Sequence, residues 1–353
     1  MAALVKLRRA KPVASWPMLV LTIALLAPTA GHGAEPVAQP DTPREVASGV
    51  WLVPGGMRQD RQPDGNTVVF EGERGLIVVD TGRHAWHRDA IVALARSREQ
   101  PIAAIINTHW HLDHVSGNPA LRHVYPQLRV YASDAIDDAL AGFLARSARD
   151  SAAYLQDESI PATMREDIAA DAATVANGPA LRPDEVIDRS GPREVAGRQL
   201  EFHLARDAVT AADVWLFDVR SKVAVLGDLV TLPAPFLDTA CPQGWLEALR
   251  TVERTEFRLA IPGHGAPMSR AQVSAYREAL GAFVDCANSK APAEQCSTRW
   301  AQAIGSMPAV DAGEAKSAQG IASYYVDLLR ANGGRSPHCA ASAEAAAAKS
   351  PAN

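Results

Sequence analysis

Thr108-His-Trp-His-Leu-Asp-His-Val-Ser-Gly-Asn118 packs three imidazoles and one carboxylate into the six residues from His109 to His114. Zinc and similar borderline metals take nitrogen and oxygen ligands of this kind at about 2.0–2.2 Å. Neither an uninterrupted helix nor a strand aims four such neighbours at one point. The lead-in Ile102 to Ile106 reads as a buried strand ending at Asn107-Thr108, and Gly117 marks a turn, so the motif is expected on a loop leaving that strand. At this histidine content a His-x-His-x-Asp-His string arises by chance in roughly 5 of 10,000 chains.

Outward from the motif, the β-branched runs NTVVFE and GLIVVD between Trp51 and Asp80 read as antiparallel strands, and His87 to Arg98 as an amphipathic helix. Downstream lie a strand-like LRVYA (128–132) and an Ala- and Asp-rich helical region from Asp134 to about Asn177. Strands follow at 199–205, 213–219 and 222–227, then helices at 243–255 and 270–287 around the strand LAIP, 259–262. Strands and helices come in blocks, without the strict alternation of a doubly wound sheet.

With 353 residues, 47% of them hydrophobic and 21% charged, the chain is long and apolar enough for a sizeable core. Lys6, Arg8, Arg9 and Lys11 precede the apolar run Met18 to Ala27 and the small-residue stretch PTAGHGA, the layout of a secretory signal peptide. The alternative is an uncleaved anchor, for which the apolar core is short against the ~20 residues a span needs. Cleavage is expected between Ala30 and Glu35. Losing residues 1–34 removes four basic and no acidic side chains and moves the formal charge from −5 to −9. That balance argues against nucleic acid and, after cleavage, against membrane as partners. The expected organisation is leader 1–34, linker 35–48, one domain 49–332 with a helical insert at about 134–177, and a disordered tail 333–353. The expected location is periplasmic or secreted. Cys241, Cys286, Cys296 and Cys339 lack Cys-x-x-Cys spacing and read as two disulfides, Cys286–Cys296 locally and Cys241–Cys339.

The motif resembles the His-x-His-x-Asp-His signature of the metallo-β-lactamase superfamily. Leu76-Ile-Val-Val-Asp-Thr-Gly82, Leu226-Gly-Asp-Leu229 and Ile261-Pro-Gly-His-Gly265 resemble three further segments of that family in the same order. The resemblance implies an α+β fold, the αββα sandwich of two mixed sheets flanked by helices. It implies that His109 and His111 serve metal site 1, that Asp113 and His114 serve site 2, that Asp228 bridges both and that His264 completes site 2. Asp80 is implied as an outer residue, not a ligand. The implied cofactor is one or two zinc ions, with manganese or iron(II) as alternatives. One position departs from the pattern. Val209, in Ala208-Val209-Thr210, stands where the family usually places another site-1 histidine, and valine cannot ligate; Asp207 or His203 is the nearest substitute.

Metal-held imidazoles and carboxylates activate water near neutral pH, with Asp113 as the catalytic residue that orients the nucleophile and carries a proton to the leaving group. No Gly-x-Ser-x-Gly elbow, P-loop or Gly-x-Gly-x-x-Gly competes. Asp228 resembles the glyoxalase-II-like branch, which implies hydrolysis of an ester, thioester, lactone or related bond in a small-molecule substrate. The alternatives are a binding protein of this fold that has lost turnover, a β-lactam hydrolase, and a redox protein with iron at the same ligands. Phe143, Tyr154 and Met164 in the insert are candidates for the active-site mouth. The sequence does not set the oligomeric state.

Overall fold

The computed structural model describes residues 42–337 and Cys339. The expected leader, the first half of the linker (35–41) and the tail beyond Cys339 lie outside the described residues.

The chain runs through β1 (Arg44–Ala47), β2 (Val50–Val53), β3 (Thr67–Gly72), β4 (Gly75–Val79), α1 (Ala85–Ser97), β5 (Ile102–Ile106), α2 (Leu112–Val115), α3 (Asn118–Val124) and β6 (Arg129–Ala132). The insert follows as α4 (Ala135–Ala141), α5 (Phe143–Leu155) and α6 (Ala162–Ala176). Then come β7 (Glu185–Val186), β8 (Gly191–Val195), β9 (Arg198–Arg206), β10 (Ala212–Asp218), β11 (Val223–Thr231), α7 (Pro242–Glu253), β12 (Leu259–His264), α8 (Arg270–Ala287), α9 (Ala293–Ile304) and α10 (Ala312–Ala331).

Two mixed sheets result. The first has order β1-β2-β3-β4-β5-β6-β7 and the second β12-β11-β10-β9-β8. In the first sheet β4, β5, β6 and β7 run parallel; in the second only β11 and β12 do. Alternation within single strands shows why they stack. Val68 and Phe70 of β3, Ile77 and Val79 of β4, and Val214 and Leu216 of β10 fill the layer between the sheets. Their neighbours Val69 and Val78 face α1 and α3, while Trp215 and Phe217 face the C-terminal helices. Both faces of each sheet are covered, so the central strands read as near-continuous apolar runs. This is the αββα sandwich.

The structure differs from the sequence reading in several places: α2 begins inside the motif expected on a loop, and α3, β7 and β8 form where the sequence reading has no element. Strand β1 occupies residues assigned to the linker, pairing with β2 at the sheet edge. The single helical region at 134–177 is three helices, broken at Gly142 and at the segment ending in Pro161. Helices α9 and α10 fill the stretch after Ala287, where the sequence shows no clear period, and bury Trp300, Ile304, Tyr325 and Leu329. The start of the expected disordered tail is ordered by the helix before it: the Gly334 N–H donates to the Leu329 carbonyl at 2.7 Å and closes α10. Both expected cysteine pairs, Cys286–Cys296 and Cys241–Cys339, are joined.

Candidate metal centre

The motif switches from strand to helix over a short stretch. After β5, Thr108 is fixed between the sheets: its N–H and hydroxyl donate to the two oxygens of Asp80 at 2.8 and 2.7 Å, and its carbonyl accepts from Val214 N of β10 at 2.7 Å. His111 is still extended (φ −59°, ψ 141°), whereas Asp113 and His114 already lie in α2. That change of period turns all four side chains inward. Two glycines make room for them. A Cβ on Gly65 would sit 2.4 Å from Cε1 of His114, and one on Gly227, at φ +52°, would sit 2.5 Å from Oγ1 of Thr108. Asp228 comes from β11 and His264 from the end of the neighbouring parallel strand β12.

The structure brings all six expected site residues together around Asp228. Its Oδ2 lies 3.5 Å from His109 Nε2 and 3.7 Å from His111 Nδ1. Its Oδ1 lies 3.2 Å from His114 Nε2 and 3.6 Å from His264 Nε2. Asp113 Oδ2 stands on the second side, 3.1 Å from His264 Nε2. Candidate ligand atoms of His109, His114 and Asp228 fall within 4.8 Å of one another, as do those of Asp113, His114 and His264; His111 belongs to neither of these tightest groups.

Outer hydrogen bonds decide which ring nitrogens face the cluster. The Thr108 hydroxyl spends its proton on Asp80, so its 2.9 Å bond to His109 Nδ1 has the ring as donor. His114 Nδ1 donates to Asp80 Oδ2 at 2.8 Å. Nε2 of both rings is thereby left facing Asp228, and Asp80 does the outer work that the resemblance implies for it. Asp80 itself adopts φ 60°, which its three side-chain and two backbone hydrogen bonds hold.

Protonation follows the same division. Burial opposes ionisation of Asp113 and Asp228, yet the surrounding imidazoles hold both carboxyls well below the usual carboxylate range. Burial likewise disfavours a charged His114, but Asp228, Asp80 and Asp113 outweigh it and hold the ring well above its ordinary value; His264 is raised in the same way. His111 goes the other way, pushed down to about 3 by burial and by His109. The donor set fits a divalent metal. Two ionised carboxylates meet four imidazoles, and His109 Nε2 and Asp228 Oδ1 are buried with no hydrogen-bond partner.

Val209 supplies no donor. It is buried in the apolar cluster of the C-terminal layer with Trp245 and Leu249. Neither sequence-level substitute takes its place: Asp207 is exposed, and His203 stacks on Trp215 at 3.7 Å, its carboxylate neighbour being Glu201.

Sequence reasoning missed Arg83, one residue beyond Gly82. Its buried guanidinium binds Asp171 of α6 and lies 3.7 Å from Asp113 Oδ1. One helical turn earlier Asp167 accepts from Arg61 at 2.6 Å and from the Gln62 N–H at 2.9 Å. The insert is thus keyed by two buried carboxylates onto the loop beside the cluster. The i, i+4 spacing of Asp167 and Asp171 was its only sequence signal. Phe143 packs on Trp110, whose ring abuts His111, and Tyr154 is partly exposed on α5. Met164 is half-buried.

Comparison with known proteins agrees with this geometry. The chain is 26% identical over 226 residues to a linear primary-alkylsulfatase of Pseudomonas sp. (strain ATCC 19151), covering 57% of this chain and 41% of that protein. It is 34% identical over 102 residues to an atrochrysone carboxyl ACP thioesterase of Aspergillus fumigatus, covering 28% and 32%. The matches span less than half the length of either relative. Among solved structures, a stereoselective inverting sec-alkylsulfatase from Pseudomonas sp. superposes with a TM-score of 0.54 at 18% identity, covering 80% of this chain and 50% of that one. A metallo-beta-lactamase from Pontibacter korlensis gives 0.50 at 18% identity, covering 68% and 98%. The model of one family matches residues 61–264, from the Arg61 that grips the insert to the last histidine of the cluster, and the chain belongs to that family, the metallo-beta-lactamase superfamily.

Proposed function

We propose that the protein is an exported metal-dependent hydrolase acting on an ester, thioester, lactone or related bond of a small molecule. The observation that carries this reading is the division of Asp228, whose two oxygens each face a separate pair of imidazole nitrogens. His109 and His111 would hold one ion, Asp113, His114 and His264 the other, with Asp228 shared. Zinc suits these ligands, and manganese or iron(II) is accommodated by the same donors. A bound divalent ion supplies acidified water and polarises a substrate oxygen.

The chain's own residues do the rest. Asp113, ionised and held between His264 and Arg83, is placed to accept a proton from the attacking water and return it to the leaving atom. The Asp80–Thr108–His109 and Asp80–His114 bonds keep the ring nitrogens correctly presented. The insert is fixed beside the cluster by Asp167 and Asp171, the latter through Arg83, which lies 3.7 Å from Asp113. The alkylsulfatase and thioesterase relatives support ester-type substrates. Export is supported by the leader-like sequence and the two disulfides. Among the described residues no helix is long and apolar enough to cross a membrane.

Val209 favours a second reading, a metal- or ligand-binding member of the fold without turnover. Metal analysis combined with a screen of carboxylic esters, thioesters, lactones, sulfate esters and β-lactams separates the two. Metal-dependent turnover of any one class supports the hydrolase; bound metal without turnover of any supports the binder.

A further inference from the structure

The loop between β11 and α7 reaches His111 twice, through the Phe236 ring, edge-on with centroids 5.0 Å apart, and through one hydroxyl. Thr239 is fully buried, and its Oγ1 donates to the Val209 carbonyl at 2.9 Å. A threonine hydroxyl has one proton, so its 2.9 Å bond to His111 Nε2 must have the ring N–H as donor and the hydroxyl oxygen as acceptor. That places the His111 proton on Nε2 and leaves the Nδ1 lone pair on the side of Asp228 Oδ2. The residue that fails to ligate therefore still takes part, because the backbone of Val209 anchors the group that orients His111.

The same loop is gripped from the far side. Asp238, the residue before Thr239, accepts from the phenols of Tyr324 and Tyr325 at 3.0 and 2.9 Å. Trp300 Nε1 donates to the Pro233 carbonyl at 3.1 Å. Cys241 is bonded to Cys339, and its N–H donates to Ala208 O at 2.8 Å. Trp300 lies on α9 and the tyrosines on α10, both beyond the residues 61–264 that define the family match.

Resting on the metal-centre reading above, we propose that Thr239 is a positioning residue for His111, and that the α9–α10 extension sets Thr239 through Asp238 and Pro233. The half of the centre that lacks a histidine is then braced from outside the family core. Outer partners of a ligating histidine typically contribute about 10–100-fold to metal affinity.

The test uses cobalt(II) as the probe, titrated into the chelator-stripped full chain and followed by its visible absorption. Wild type is expected to bind two equivalents. Thr239→Val should weaken one equivalent by about 10–100-fold and alter its bands, Thr239→Ser should restore both, and Tyr324→Phe/Tyr325→Phe should weaken the same equivalent less. Wild-type binding by Thr239→Val, or a serine variant as weak as the valine one, overturns the role of the hydroxyl. Wild-type binding by the tyrosine pair overturns the role of the extension. Nitrogen NMR of the histidine rings in the unmodified, metal-free chain reads the tautomer independently: a proton on His111 Nε2 is expected, and one on Nδ1 overturns the proposal. If wild type binds no cobalt, the metal-centre reading fails, and the NMR result still decides the hydrogen-bond assignment.

Discussion

The two halves of the cluster that meet at Asp228 are built from opposite surroundings. On one side Asp113 joins His114 and His264, and two carboxylates raise both rings above their ordinary values. On the other side His111 meets Phe236, which packs against the apolar layer that holds Val209, and His111 is pushed down to about 3 by burial and by His109. The first half is a concentrated anionic site that in the absence of metal holds protons. The second offers an uncharged His111 and only the shared oxygen of Asp228. Affinity for a cation should follow charge first and ligand count second, so the halves are expected to behave as two sites of unequal strength.

The strongest way to break this comparison is to remove what the halves share. Asp228→Ala deprives both of an anion, and Asp113→Ala deprives the first half of its only private carboxylate. Each is expected to lower hydrolysis of any substrate found by the screen by about a thousand-fold or more, with Asp228→Ala also losing both metal equivalents in elemental analysis. Retention of most activity by either variant would exclude the mechanism.

Much of this centre was legible in the sequence because its residues sit where the chain has no other reason to place them. His109 to His114 compress four donors into one strand-to-helix switch, and Asp80, Asp228 and His264 end or interrupt apolar strands that β periodicity already marks. The insert was legible as helix, but its breaks depended on Gly142 and Pro161 within an alanine-rich background that blurs periodicity. Helices α9 and α10 escaped notice because small residues dominate their surfaces, while the Trp300 and Tyr325 that anchor them are widely spaced. Arg83 and Thr239 were invisible for a different reason. Each is an ordinary residue whose partner lies 88 or 128 positions away, so only folding reveals it.

A smaller effect sharpens the electrostatic side of the comparison. Asp213, at the start of β10, is buried behind the weaker half, accepting from the Thr210 N–H and hydroxyl at 3.0 Å each. Burial pushes its pKa up to about 6, with Asp228 adding to the rise and His109 opposing it. A raised carboxyl pKa stabilises the fold fully below the unfolded value of about 3.9, and that contribution is lost as pH rises through the folded value near 6. In chelator-treated protein, Asp213→Asn should therefore gain on wild type by up to about 3 kcal/mol between about pH 4 and pH 8. Denaturant unfolding of both proteins across that range measures it. A constant difference would show that Asp213 carries no titration of this kind, and that the weaker half is better supplied with positive charge than its geometry indicates.

The smallest expected effect concerns Val209 itself. Wild type dialysed against a mild chelator should retain one equivalent of metal, held by Asp113, His114, Asp228 and His264, and lose the one held by His109 and His111. Added zinc or manganese should then restore activity. Val209→His supplies a nitrogen at the position where the resemblance implies one, but the valine side chain belongs to the apolar cluster with Trp245 and Leu249, so the imidazole must leave that packing to reach Asp228 Oδ2. A gain of about tenfold in affinity for the second ion, the lower end of what even outer partners contribute, is therefore expected in place of a fully restored site. The variant should also lose some thermal stability, because a polar ring replaces buried methyl groups. Elemental analysis of both proteins after the same dialysis decides between the readings. Two equivalents retained by wild type would mean that a donor other than Asp207 and His203 completes the weaker half, and the inequality drawn from its surroundings would be wrong.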